Sequence, residues 1–219
     1  MPEFNPADLR IVDRYKLLIG AIVPRPIAFV STRGTDGSVN LAPYSFFNGV
    51  GSEPMTLLFC PANNPDGSEK DTLRNCKPTD EGGSGEFVVN VATEAYAARM
   101  AATGEELPYG ESEFALAGFT EAPSKRVAAP RAAESPIAFE CRTLRVVHTS
   151  PGAPAGGNVV IGEVVHIHID DGLVDERFRI DADRLRAVGR MAGAAYCTTR
   201  DRFDLPRGAA ALEVKDPVR

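Results

Sequence analysis

The chain has 219 residues with 43% hydrophobic and 25% charged content, a formal net charge of −6 and a pI near 5.2. These values exclude a disordered chain and argue against a binder of nucleic-acid backbones, because disorder goes with low hydrophobicity and phosphate affinity with basic patches. The length suits one core, and one domain over residues 1–219 is expected.

The Pro-containing start, residues 1–10, reads as an extended arm without a charged-then-apolar leader pattern. No apolar run approaches the roughly 20 residues that span a bilayer, so a cytoplasmic protein with no membrane partner is expected. Ile11 to Val23 carries Ile11, Tyr15, Leu18, Ile19 and Ile22 at helical spacing, interrupted by Gly20 and ended by Pro24. Ile27 to Thr32 is β-branched and aromatic, Asp36-Gly37 supplies a hairpin turn, and Val39 to Ala42 begins the returning strand. From Pro43 to Ser52 ordinary strand patterning breaks down into aromatics, hydroxyls, an amide and glycines. That mixture suits a flat, polar-edged aromatic ligand, and it equally suits apolar residues that merely enter a core.

Met55 to Cys60 is a short buried-strand run, followed by the turn cluster of residues 62–69. Lys70 to Asn75 reads as the start of a short helix, where a Lys and a Thr beside unpaired N–H groups offer either a phosphate cradle or a solvated helix end. Residues 79–85 form a Gly-rich loop, Glu86 to Val91 a strand, and Glu94 to Ala102 a short helix. Residues 103–135, rich in Pro, Gly and Glu, read as a long loop, part of which is expected to cover the active face or a partner subunit. Ser135 to His148 and Val159 to Ile169 read as one long hairpin, with Val164, His166 and His168 on one face of its second strand. Phe203 to Arg207 reads as a last short strand. Many short strands with few helices predict a mainly β fold, an antiparallel β-barrel with a few peripheral helices.

Several chemistries are missing. There is no G-x-S-x-G elbow, P-loop or G-x-G-x-x-G. His166 and His168 resemble the start of a metal site, but no third ligand stands at a recognisable spacing, so partly solvated strand histidines and no metal are expected. The four cysteines, Cys60, Cys76, Cys141 and Cys197, are widely spaced without a CxxC pair, which predicts reduced thiols. What remains is a set of small hydroxyls, glycines, aromatics and a Lys-Asp-Thr corner, residues that hold a cofactor rather than carry chemistry themselves.

The runs RPIAFVST, NLAPYSFFN, KDTLRN, EFVVN, SPIAFEC, VVIGEVVHIHID and GRMAGAAY, in this order from about Tyr15 to Arg207, resemble the flavin reductase-like family of FMN-binding split β-barrel proteins, which includes flavoredoxins. The resemblance implies non-covalent FMN near the interface of a homodimer, with NAD(P)H as co-substrate. It implies that Ser31, Thr32, Ala42, Ser45, Phe46, Phe47, Asn48 and Ser52 face the flavin ring and ribityl chain. It places Lys70, Asp71 and Thr72 at the phosphate, with the lysine and threonine in contact, and brings Arg190 and Tyr196 to the flavin or the partner subunit. Ala192 stands where the family commonly has glycine, and the loop of residues 77–85 is longer than usual. The implied activity is hydride transfer from NAD(P)H to FMN and electron transfer to an acceptor, with no acid or base singled out; the alternative is a flavoredoxin-like FMN carrier that oxidises NAD(P)H poorly.

Overall fold

The β-branched and aromatic runs form strands and the alanine-rich or capped runs form short helices in a computed structural model that describes residues 1–108 and 110–214. Tyr109, within the 103–135 excursion, and residues 215–219, within the expected 1–219 domain, lie outside the described residues. Helix α1 (Ile11–Ala21) leads into β1 (Ala28–Arg33), β2 (Val39–Tyr44), β3 (Phe47–Ser52) and β4 (Met55–Phe59). Helix α2 (Asp71–Cys76), strand β5 (Glu86–Val91), α3 (Ala97–Ala102) and α4 (Glu113–Ala117) follow. The two-residue strands β6 (Glu121–Ala122) and β7 (Arg131–Ala132) precede the long hairpin β8 (Ile137–His148) and β9 (Asn158–Ile169). Helix α5 (Ala182–Leu185) and the ribbon β10 (Val188–Arg190) and β11 (Tyr196–Thr198) complete the order.

Seven strands make one antiparallel sheet in the order β2-β1-β5-β8-β9-β4-β3. Val30, Tyr44, Phe47, Phe59, Phe87, Cys141 and Val160, one from each strand, meet in a single apolar cluster. A flat sheet cannot bring both edge strands to one cluster, so the sheet wraps on itself and is split between β2 and β3. Each fully buried Phe in this interior contributes roughly 1.5–3 kcal/mol. Gly162 on β9 is required by that packing, since a Cβ there would lie 2.4 Å from Phe87 Cζ. Behind β1 a second cluster joins Ile27, Phe29 and Leu41 to Tyr96, Met100, Phe114 and Phe119. The Phe29 and Phe119 rings stand edge to face with centroids 5.0 Å apart.

Segment 103–135 is more structured than its composition suggests. Ser112 caps α4, its hydroxyl accepting the Phe114 N–H at 3.3 Å, and Gly118 ends the helix with φ of +66°. Residues 124–132 then lie as a strap across the outer face of the sheet, held by side-chain acceptors. Glu140 takes the Lys125 N–H, Asn90 takes the Ala132 N–H at 2.9 Å, and Glu86 takes the Ala128 N–H at 2.7 Å.

Two expectations are corrected. Pro43 to Ser52 contains a strand, β3, paired with β4 through a register shift at Gly49/Gly51. An edge strand is hydrogen-bonded from one side only, and every residue of β3 after Phe47 is exposed, so no burial demands alternation and a Gly-rich sequence can occupy it. Residues 203–207 form no strand; Phe203 is exposed, and the C-terminal pairing falls instead at β10 and β11. Residues 94–96 form a 3-10 turn ahead of α3. Among the described residues, no helix is long and apolar enough to cross a membrane.

Candidate functional site

Where β2 reaches the sheet edge, the start of α2 and the turn of residues 103–107 leave a cavity of about 470 Å³, within the range of small-ligand sites. Ala42, Pro43 and Tyr44 form one wall, Asn64 to Asp66 and Lys70 to Thr72 a second, and Thr103 to Leu107 with Glu113 a third. Lys70 is the one cation among these lining residues, and its Nζ lies 3.6 Å from Glu106, whose side chain is 68% exposed. An exposed pair of this kind is worth at most about 1 kcal/mol, so the ammonium is readily exchanged to another anion.

The carboxylates around it are mostly committed elsewhere. Asp66 accepts from the Ser68 N–H at 2.8 Å, Asp71 faces Arg74 at 3.4 Å, and Glu113 accepts the Leu41 N–H at 2.8 Å and the Asn40 amide at 3.0 Å. Glu113 is 5% exposed, and burial pushes its carboxyl up from the ordinary range, with the Leu41 N–H pulling back. Burial likewise pushes the Tyr44 phenol up. With its amide nitrogen committed to Glu113, Asn40 presents Oδ1 to Thr72, whose hydroxyl donates to it. The Thr72 proton is thereby already in use, which leaves Lys70 as the side-chain donor facing the cavity from this corner.

The residues singled out from sequence fall into five places. Ala42, Lys70, Asp71 and Thr72 line the cavity together. Ser31 and Thr32 are fully buried away from it, Ser31 donating to the Pro130 carbonyl of the strap and Thr32 accepting from the Asn75 amide at 3.0 Å. Ser45 and Phe46 gather around Arg25, which donates to Ser45 Oγ at 3.2 Å and lies 5.9 Å from the Phe46 ring centroid. Phe47 packs against the main core, while Asn48 and Ser52 are exposed on β3. Arg190 and Tyr196 pair across β10 and β11, the guanidinium 4.4 Å from the ring centroid. Backbone bonds between Arg25 and Arg190 dock that ribbon onto the segment before β1.

Three residues that sequence reasoning passed over organise these groups. Asn40 and Glu113 position Thr72, and Glu113 reaches the cavity only because α4 packs against β2. Arg25, 3% exposed, donates to the carbonyls of Ile19 at 2.6 Å, Ile22 at 2.7 Å and Met191 at 3.0 Å. It thus satisfies carbonyls around the end of α1 and fastens the C-terminal ribbon with one planar fork. Its place between Pro24 and Pro26 was the only local signal.

The flavin reductase-like domain family matches residues 20–189. A protein of Halalkalibacterium halodurans is 40% identical over 206 residues, covering 94% of this chain and 96% of its own. Nitrilotriacetate monooxygenase component B from Bacillus cereus superposes with a TM-score of 0.85 at 35% identity, over 94% of this chain and 98% of that one. The 2-nitrobenzoate 2-nitroreductase of Pseudomonas fluorescens gives a TM-score of 0.82 at 32% identity, over 95% and 97%.

Proposed function

The chain belongs to the flavin reductase-like domain family, matched over residues 20–189, and on that premise we propose that it is an NAD(P)H-dependent flavin reductase holding FMN non-covalently in the cavity between β2, α2 and residues 103–107. The wrapped sheet is the split barrel of that family. The observation that carries the reading is the meeting of an apolar wall, Ala42, Pro43 and Tyr44, with a single replaceable cation, Lys70, in one cavity of suitable volume. The wall fits a flat ring, and Lys70 fits a phosphate once Glu106 yields it, while three of the five lining carboxylates, Asp66, Asp71 and Glu113, have partners other than Lys70.

Bound FMN would supply hydride acceptance from NAD(P)H and electron delivery to an acceptor. The chain's own part is positioning and electrostatics. Lys70 anchors the anionic end, Ala42 to Tyr44 keep water from one side, and Glu113 through Asn40 holds Thr72 in a fixed orientation. The B. cereus and P. fluorescens proteins, both above 30% identity and over nearly their full length, support the reductase class. With added FMN the purified protein is expected to consume NADH or NADPH in steady state. A yellow protein without turnover would instead indicate an FMN carrier, and failure to quench FMN fluorescence on titration would remove both flavin readings.

A homodimer completes the proposal. On α1 only Ile19 is buried, while Ile11, Tyr15 and Leu18, with Ile22 just past its end, are each between 47% and 55% exposed. An unpartnered apolar stripe of this kind marks an association surface. Light scattering at micromolar concentration is expected to return twice the 23.4 kDa chain mass; a monomer would overturn the assignment.

A further inference from the structure

On the outer face of the sheet, away from the cavity, β8 and β9 bring three metal-ligating side chains together. The register sets Glu140 opposite His166 and Ala138 opposite His168, so both imidazoles and the carboxylate project from one face. One ligand atom from each of the three lies within 4.8 Å of the other two. The spacing of the histidines is visible in the sequence, but the carboxylate comes from a residue 26 positions before the first of them.

We propose that Glu140, His166 and His168 form a site for a divalent transition metal of the zinc class. Two imidazole nitrogens and one carboxylate oxygen are a donor set that zinc takes with a fourth position open, and nitrogen donors select it over magnesium or calcium. Glu140 is fully buried, and the backbone N–H groups of Lys125, at 2.8 Å, and Arg126, at 2.5 Å, hold its carboxylate in place. Metal-binding carboxylates are oriented by such outer hydrogen bonds. His166 is partly buried, and among the described residues it makes no hydrogen bond or ion pair; its ring stands edge to face with that of His168, with centroids 4.7 Å apart. Its imidazole nitrogens are therefore unclaimed by any protein hydrogen bond.

Bonds of about 2.1 Å to a tetrahedral ion set ligand atoms roughly 3.4 Å from one another, so the widest pair must close by at most about 1.4 Å while Glu140 and His168, now in hydrogen-bond contact, move slightly apart. His168 Nε2 now shares a proton with Glu140; on binding, that proton moves to Nδ1 or to solvent and the metal takes the lone pair. The charge of Arg131 reaches His168 and works against a dication, which moderates affinity without removing a ligand. Because Glu140 also carries the strap at Lys125 and Arg126, the metal would tie β8, β9 and the strap together. No residue of this site lines the Lys70 cavity, so the inference stands independently of the flavin reading.

Calorimetric titration of ZnCl2 into the full-length, tag-free protein, previously stripped with EDTA and desalted, tests it. One saturable site per chain is expected, with affinity falling at least about tenfold in His166→Ala and in His168→Ala. His148→Ala should retain it, since His148 pairs with Asn158 at 2.6 Å and lies outside the cluster. Zinc should also raise the thermal midpoint of the wild type and of His148→Ala, but not of the other two. Should His168→Ala fail to fold for want of a Glu140 partner, His166→Ala decides alone, because removing His166 breaks no hydrogen bond. Absence of saturable binding, or binding undiminished in His166→Ala, overturns the site.

Discussion

Replacing Lys70 by alanine is expected to weaken FMN binding by roughly tenfold to a hundredfold while changing riboflavin affinity by less than about twofold, because a charge-assisted contact to phosphate is worth about 1.5–3 kcal/mol. Riboflavin has the same ring and ribityl chain without the phosphate, so the ratio of the two losses isolates the role of the ammonium. Fluorescence quenching titrations of both flavins against wild type and variant measure it directly. Equal losses for both would mean that Lys70 shapes the cavity instead of meeting phosphate. A companion variant sharpens the result: Glu106→Gln removes the carboxylate that now faces Lys70 at 3.6 Å. It should tighten FMN by no more than about fivefold, since exposed pairs contribute at most about 1 kcal/mol. Riboflavin should again be indifferent.

Arg25→Ala is expected to lower the free energy of unfolding by about 3 kcal/mol, through loss of charged donors to buried carbonyls. The side chain is 3% exposed and serves Ile19, Ile22 and Met191 at once, so its removal strands acceptors in α1, in the turn after it and in the segment after β10. Arg25→Lys should recover less than half of the loss, because an ammonium cannot span three acceptors with a planar fork. Urea unfolding at fixed protein concentration gives the comparison. A midpoint shift for Arg25→Ala equivalent to less than about 1 kcal/mol would show that solvent satisfies those carbonyls instead. Since Arg25 also touches Ser45 and lies near Phe46, the same variant loosens the β2–β3 connection beside the cavity.

The strands were legible wherever burial demanded a pattern. Ile27 to Thr32, Met55 to Cys60, Glu86 to Val91 and the long hairpin all carry apolar or alternating runs because each has neighbours on both sides or a packed face. β3 was not legible, for it lies at a sheet edge and Gly49, Val50 and Gly51 are all exposed. The site was legible in part for a similar reason. Lys70, Asp71 and Thr72 are adjacent in sequence and stay adjacent in space, so their local order already described one wall. Ser31 and Thr32 share the strand next to the cavity, but alternation turns Ser31 to the strap and Thr32 to Asn75, a distinction that depends on what covers each face.

Taken alone, the order of residues determined the mainly β composition, the family resemblance and the lysine corner, because these depend on local periodicity and on motifs contiguous in the chain. Tertiary structure alone decided that Glu113 and Asn40 commit the Thr72 hydroxyl and that Arg25 gathers three segments. It alone brought Glu140 to His166 and His168 across a strand pair. Each of these is a contact between residues far apart in sequence, and such contacts are set by sheet register and by which element closes over which face. The buried groups in them bear large desolvation costs unless matched, so the fold, once formed, supplies partners that no local pattern announces.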